Sequence, residues 1–169
     1  MSDATLTAMT DRILVLNGPN LGRLGSREPD VYGSADLESL RAVLIDDAAR
    51  AARAAPAGDT GDATAAPVEI DLRQTDDESE LIHWLHEAVD TRTPVILNLA
   101  AFTHYSYGLR DAAAQLHTAD IPLVEVHISN PHARERFRHT SVISGVATGV
   151  IAGFGFDSYR LALHYLLTR

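Results

Sequence analysis

The first buried segment of the chain is Arg12-Ile13-Leu14-Val15-Leu16, and it runs directly into Asn17-Gly18-Pro19-Asn20-Leu21-Gly22-Arg23-Leu24-Gly25-Ser26-Arg27-Glu28-Pro29-Asp30-Val31-Tyr32-Gly33. A short, almost continuous apolar run is typical of a strand buried in a parallel sheet. A following loop of this length is unusual in a compact α/β unit unless it covers or binds something. The sequence therefore predicts an active-site loop at the carboxyl end of the first strand.

Further apolar runs follow along the chain, and helical patterns lie between them. The runs occupy residues 12–16, 68–72, 94–99, 121–128 and 146–152, and clear helical spacing of apolar residues occurs at 36–55, 81–89 and 159–166. Ser34 and Asp36 are suitable caps for the first of these helices. This alternation predicts an α/β fold, a flavodoxin-like three-layer sandwich with a five-stranded parallel sheet, whose ligands bind beyond the carboxyl ends of the strands.

The remaining segments give the expected domain organisation. Residues 1–11 are expected to form a flexible N-terminal extension, and residues 12–169 a single domain. Residues 51–67 are rich in alanine, glycine and proline, so we expect a mobile surface insertion that leaves the sheet at the end away from the site.

Composition excludes several classes of function. The formal net charge of −9 argues against a nucleic-acid surface, and the absence of cysteine excludes disulfides, thiolate metal sites and a cysteine nucleophile. All 14 basic residues are arginine, so the chain cannot form a lysine Schiff base or supply the lysine of a Walker loop. No run is apolar and long enough for a membrane span, and residues 1–11 lack the features of an export signal. We therefore expect a soluble, cytoplasmic protein.

Two pairs of residues suggest acid–base chemistry. Tyr32 follows Arg27 by five residues, so the guanidinium can approach the phenol and lower its pKa from about 10. Taken alone, Tyr32 is better explained as an aromatic anchor of the loop, and Arg27 as a partner of Glu28 or Asp30. Glu125 and His127 lie two residues apart in a predicted strand, so both project from one face and the carboxylate can hold the imidazolium. An isolated histidine at a strand end would otherwise be a structural residue.

The motifs together resemble one enzyme family. The loop matches every fixed position of N-G-P-N-L-x-x-L-G-x-R-E-P-x-x-Y-G, the N-terminal signature of type II 3-dehydroquinate dehydratases. The resemblance continues through Asn98, Thr103-His104, Leu109-Arg110-Asp111, Glu125-Val126-His127-Ile128-Ser129-Asn130, His132-Ala133-Arg134 and Ala147-Thr148-Gly149-Val150-Ile151. It implies that residues 12–169 form a catalytic domain for the reversible trans-dehydration of 3-dehydroquinate to 3-dehydroshikimate in the shikimate pathway.

The same resemblance implies roles for individual residues. Tyr32, activated by Arg27, is the expected base that forms an enolate, and Asn20 is expected to stabilise that enolate through an ordered water. His127 is the expected general acid, held by Glu125.

The implied substrate contacts come from later in the chain. The main-chain N–H groups of Ile128 and Ser129 are expected to bind the substrate carboxylate, assisted by the Ser129 hydroxyl and Asn98. The ring hydroxyls are expected to contact His104, Arg138 and, from a neighbouring subunit, Asp111. The family assembles as a dodecamer, a tetramer of trimers, and its elimination chemistry implies no cofactor and no metal.

The chain departs from the family near His104. Ala100 and Ala101 stand where glycines are usual, and Tyr105 stands where a small hydroxyl residue is usual. Alanine tolerates positive φ less well than glycine, so the backbone here is expected to shift, and Tyr105 is expected to crowd the pocket or pack between subunits.

Other interpretations are weaker. Gly18, Gly22 and Gly25 do not form the G-x-G-x-x-G of a dinucleotide site. His83 and His86 share a helix side, but no third ligand for a metal lies nearby. A flavodoxin-like ligand-binding or scaffold protein without catalysis is the remaining alternative, and retention of the acid and base residues argues against it.

Overall fold

The computed structural model describes residues 11–24, 36–54 and 66–169. Its first strand, β1, is Arg12–Asn17, and Ile13, Leu14, Val15 and Leu16 are all fully buried. A strand that pairs with a neighbour at each edge and is covered by helices on both faces must be apolar at successive positions, because neither face meets water. This explains the continuous run with which the chain begins.

Five parallel strands form one sheet in the order β2-β1-β3-β4-β5. The strands after β1 are β2 (Glu69–Gln74), β3 (Val95–Asn98), β4 (Leu123–His127) and β5 (Gly149–Ala152). In register, Asn17 pairs with Gln74 on one side and with Asn98 on the other, and β4 ends beside them at His127. The predicted five-stranded flavodoxin-like sheet is therefore confirmed, and its carboxyl edge gathers polar side chains.

The described residues contain four α-helices, of which three connect successive strands and the last follows β5. They are α1 (Leu37–Ala54), α2 (Glu78–Asp90), α3 (Tyr107–Thr118) and α4 (Asp157–Leu167). Side-chain oxygens cap the N-termini of three of these helices. Asp36 accepts from the main-chain N–H of Ser39 at 2.8 Å, Asp77 from that of Ser79 at 2.8 Å and Ser106 from that of Leu109 at 3.1 Å. Such caps satisfy amide groups that have no partner within the helix. The predicted cap at Asp36 is confirmed, whereas Ser34 lies outside the described residues.

Alternate residues of β1 separate the core into two layers. Ile13 and Val15 pack with α1 and α4, while Leu14 and Leu16 pack with α2 and α3. The alternation follows from the period of two along a strand. Within the described ranges, none of the helices combines the length and the apolar character needed to cross a bilayer.

Short 3-10 helices shape the carboxyl edge of the sheet. They are Leu21–Arg23, Ala100–His104, Pro131–Ala133, Arg136–His139 and Ser144–Val146. The expected N-terminal extension falls almost wholly on residues 1–10, and the centre of the expected insertion on residues 55–65, both outside the described residues; residues 51–54 complete α1.

Candidate active site

A cleft lies where β3 and β4 end. The described residues that line it are Leu21, Asn98, Ala100, His104, His127, Ile128, Ser129, Pro131, Arg134 and Arg138. Six of the residues expected in the site therefore meet in one place, namely Asn98, His104, His127, Ile128, Ser129 and Arg138. The cleft is at the sheet edge where ligands of this fold bind.

At the end of β4, Glu125 holds His127. Nε2 of His127 lies 2.7 Å from Oε1 of Glu125, and the side chains are 11% and 1% exposed. Because an ionised carboxylate only accepts hydrogen bonds, the Nε2 hydrogen is fixed on the ring, and Nδ1 is the nitrogen left to exchange a proton. The predicted pairing across one strand face is confirmed.

Two serines satisfy the buried carboxylate. The hydroxyl of Ser141 donates to Oε1 of Glu125 at 2.9 Å, and that of Ser144 donates to Oε2 at 2.5 Å. Burial raises the pKa of Glu125, but the hydrogen bonds from His127, Ser144 and Ser141, with the nearby imidazole charge, outweigh it and lower the pKa below its ordinary value. Glu125 is therefore an anion at neutral pH, although it is buried.

At the end of β3, Asn98 and the turn after it form the opposite wall. Oδ1 of Asn98 accepts from the Ala100 amide at 3.1 Å, and the 3-10 helix Ala100–His104 begins there. Nδ1 of His104 lies 2.7 Å from the Thr140 carbonyl, which can only accept, so Nδ1 carries the hydrogen. The ring also packs edge-on against Phe137, with centroids 5.6 Å apart. His104 is thus oriented with Nε2 left for a ligand.

Ala100 and Tyr105, two of the three departures from the family pattern, have different surroundings. Ala100 has φ of 47°, the left-handed conformation that favours glycine, yet His104 still lines the cleft. The alanine thus adopts the strained conformation, and His104 keeps its place in the cleft. Tyr105 does not line the cleft of its own chain; it is 57% exposed and contacts Phe102 edge-on.

The loop after β1 passes very close to the loop after β3. The Gly18 amide donates to the Asn98 carbonyl at 2.7 Å, and a Cβ at Gly18 would lie 2.7 Å from the Leu99 carbonyl oxygen. Only glycine fits such an approach. Gly18 therefore brings the first part of the active-site loop onto the cleft.

Asn20 lies beside the cleft. It is exposed and has a left-handed φ of 68°, and its main-chain N–H donates to Oδ1 of Asp76 at 2.8 Å. It lines a second cavity that shares Leu21, Ala100, Arg134 and Arg138 with the cleft. Tyr32, the expected base, and Arg27, the residue expected to activate it, lie outside the described residues.

Two arginines reach the cleft from the segment after β4. Arg138 donates to Glu135 at 2.7 Å, and Arg134 donates to the Ser129 hydroxyl at 3.3 Å. The bond from Arg138 lowers the pKa of Glu135 to about 2. Spacing by four residues would suggest one short helix for both arginines, but Arg134 is extended between two 3-10 helices. Their side chains nevertheless share the cleft.

Asp111 does not line this cleft. It lies on α3 with its side chain 75% exposed, where Arg110 donates to it at 3.0 Å. Its place on the outside of the chain is compatible with the expected role toward a neighbour.

Four residues that were not predicted from the sequence also support the cleft. Besides Ser141 and Ser144, these are Asn17 and Tyr159, whose side chains are hydrogen-bonded to each other at 2.7 Å, with Tyr159 bonded in turn to Asn98. The position of Asn17 at a strand end was the available signal. In the described part of the chain no three His, Asp or Glu side chains cluster as metal ligands, and His86 instead lies 3.4 Å from Gln115.

Comparison with known proteins gives a consistent result. The sequence model of the family described as Dehydroquinase class II matches residues 11–167. The 3-dehydroquinate dehydratase of Salinispora tropica is 52% identical over 94% of this chain and 98% of its own length, and that of Mycobacterium avium is 49% identical over 93% and 97%. The crystal structure of type II dehydroquinase from Propionibacterium acnes matches with a TM-score of 0.82 and 45% identity, over 95% of this chain and 99% of that one. The chain therefore belongs to the type II dehydroquinase family.

Proposed function

We propose that this protein is a type II 3-dehydroquinate dehydratase, a hydro-lyase that eliminates water from 3-dehydroquinate to give 3-dehydroshikimate. The observation that carries the proposal is the cleft in which His127, held by the buried carboxylate of Glu125, faces Asn98, His104 and Arg138. Membership of the family and the name shared by the relatives support the same reaction. They give no support to a non-catalytic scaffold.

The proposed reaction proceeds through an enolate. A base removes the proton next to the ketone, and the electron pair moves onto the ketone oxygen. When the pair returns, the ketone re-forms and a double bond joins C1 to the deprotonated carbon, while the C1–O bond breaks and the protonated hydroxyl leaves as water. We assign the base to Tyr32, activated by Arg27, and the stabilisation of the enolate to Asn20, on the resemblance of the loop. No electrons pass to an acceptor, so the reaction needs no organic cofactor.

We assign the general acid to His127. Its Nε2–H is committed to Glu125, so the proton given to the leaving hydroxyl comes from Nδ1. The carboxylate stabilises the imidazolium that must exist before this transfer and holds the ring in one orientation. The remaining groups of the cleft, Ile128, Ser129, Asn98, His104 and Arg138, are assigned to the carboxylate and hydroxyls of the substrate.

Turnover tests this assignment directly. Purified protein is mixed with 3-dehydroquinate and the ultraviolet absorbance of the conjugated product is followed, with Tyr32→Phe and His127→Ala in parallel. We expect kcat to fall by about 100-fold or more in each, the usual contribution of a proton-transfer group. His164→Ala and Tyr165→Phe, at exposed positions of α4, are the matched controls and should retain activity. A folded, assembled intact protein without turnover would contradict the proposal.

We further propose the dodecamer of the family, in which Asp111 completes the site of a neighbour. The strong exposure of Asp111, together with Tyr105 and Tyr107 at 57% and 69%, supports a surface that a second copy covers. Asp111→Ala and His127→Ala proteins are dissociated, mixed and reassembled. Because some mixed sites then contain both residues, activity should return above that of either variant. A mixture as inactive as its components would argue against a shared site.

A further inference from the structure

A chain of neutral hydrogen bonds crosses the core beneath the cleft. The hydroxyl of Tyr159 donates to Oδ1 of Asn17 at 2.7 Å and accepts from Nδ2 of Asn98, also at 2.7 Å. Tyr159 and Asn17 are fully buried and Asn98 is 3% exposed, so no solvent competes for these bonds. Only Asn98, the last member, lines the cleft.

The donor-to-acceptor direction of these hydrogen bonds is fixed at the Asn17 end. Nδ2 of Asn17 lies 3.1 Å from the Arg73 carbonyl and 3.4 Å from the Val15 carbonyl. Carbonyl oxygens only accept, so the amide nitrogen must point toward them and Oδ1 toward the phenol. The phenol hydrogen is therefore used on Asn17, and its oxygen is left to accept.

The Asn98 end requires the same direction. The Ala100 amide donates to Oδ1 of Asn98 at 3.1 Å, which places Nδ2 toward Tyr159. One of the two Nδ2 hydrogens is used on the phenol oxygen. Within residues 11–24, 36–54 and 66–169 the other has no protein partner, so it is available to a molecule in the cleft.

The hydroxyl of Tyr159 carries its hydrogen at neutral pH. Burial raises the pKa of Tyr159 well above its ordinary value, so the phenol keeps its hydrogen at neutral pH. Loss of that hydrogen would also leave two acceptors facing each other across 2.7 Å.

We propose that Tyr159 is a positioning residue for substrate binding: its hydroxyl fixes the side-chain amide of Asn98 so that the cleft is offered an N–H donor and not a carbonyl acceptor. The ligand chemistry that such a donor selects is an anionic oxygen, here the substrate carboxylate. This last identification rests on the proposed function. Tyr159 itself never contacts the substrate and acts only through Asn98.

A double-mutant cycle on binding separates this role from general stability. Dissociation constants for quinate, the alcohol that corresponds to the ketone substrate and carries the same carboxylate, are measured by calorimetry on the intact assembled proteins. We expect Asn98→Ala to weaken binding by about tenfold or more, as for a hydrogen bond to a charged group. Tyr159→Phe should weaken it by about three- to tenfold in the presence of Asn98, and should have no further effect on Asn98→Ala. An equal loss in both backgrounds would overturn the proposal.

A second variant protects the test against misfolding of Tyr159→Phe. Asn17→Ala keeps the phenol and its packing but removes the acceptor that forces the hydroxyl to donate away from Asn98, so it should weaken quinate binding only when Asn98 is present. Tyr165→Phe, on the exposed side of the same helix, is the control and should bind normally.

Turnover of 3-dehydroquinate by the intact protein is recorded on the same samples. Coupled quinate binding without turnover would overturn the proposed reaction and keep this inference. Turnover without coupling, or no binding of quinate, would overturn the inference.

Discussion

The two walls of the cleft are held in place by different chemistry. On the β4 side, a buried anion, Glu125, orients His127 and is itself satisfied by serine hydroxyls. On the β3 side, Asn98 is oriented by a phenol and an amide that carry no charge. The group proposed to deliver a proton is thus coupled to a charge, whereas the group proposed to bind is set by neutral dipoles. The contribution of Asn98 to binding is therefore insulated from the changes in proton content that catalysis requires.

The largest expected effect comes from neutralising the charged side. Glu125→Gln keeps the shape but cannot stabilise the imidazolium, so we expect kcat to fall by about 100-fold, with a smaller change in KM. Steady-state rates against substrate concentration measure both. Glu69→Gln, at an exposed position of β2, is the control. Equal changes in kcat and KM would mean that the two walls are not distinct in this way.

The same variant gives a prediction for stability against pH. The pKa of folded Glu125 is lowered, so its stabilising contribution is fully present above the ordinary value of about 4.3 and is lost as pH falls through the folded value. The difference in unfolding free energy between the intact protein and Glu125→Gln should therefore shrink in acid. Denaturant unfolding at pH 7 and below pH 4.3 measures it, and a difference independent of pH would contradict the assignment.

A smaller effect is expected where β1 approaches the neutral wall. Gly18→Ala places a methyl group 2.7 Å from the Leu99 carbonyl oxygen, so the backbone must move. We expect a loss of about 1–3 kcal/mol of unfolding free energy, typical of overpacking, and a KM that rises more than kcat falls. Thermal unfolding and kinetics check this. Gly145→Ala, where nothing lies within 4 Å, should change stability by less than about 0.5 kcal/mol.

The smallest effect is expected at Ala100. Its left-handed φ of 47° is strained for alanine, so Ala100→Gly should raise the unfolding free energy by about 0.5 kcal/mol. Ala101→Gly, in the same 3-10 helix without positive φ, should instead lower it by about 0.5–1 kcal/mol. Denaturant midpoints distinguish the two signs. Equal shifts would show that the φ of Ala100 is not strained.

The sheet was predictable because its strands are continuous apolar runs, but the strand ends were not. The run at 121–128 predicts a longer strand than Leu123–His127, since Ile121 and Ile128 are buried in the flanking turns. Likewise Val146 is buried in a 3-10 helix and not in β5. Burial makes a residue apolar whether or not it joins the sheet, so hydropathy alone cannot locate the ends.

The site was predictable only where its contacts are local or its motifs resemble a family. Glu125 and His127 share a strand face, so spacing alone pairs them. Ser144 meets Glu125 across 19 residues and Tyr159 meets Asn98 across 61, and no local pattern carries that information. Arg134 and Arg138 are the opposite case, because their four-residue spacing is typical of a shared helix face although Arg134 is extended between two separate 3-10 helices.

The bond between Tyr159 and Asn17 also has a consequence for synthesis of the protein. It joins residues 142 positions apart, linking the first strand to the last helix. All the described residues that line the cleft precede residue 139. A nascent chain that has just released them from the ribosome still lacks the phenol that orients Asn98. Because contacts of such high sequence separation form late, we expect Asn98 to reach its final orientation, and the cleft its full affinity, only when α4 docks.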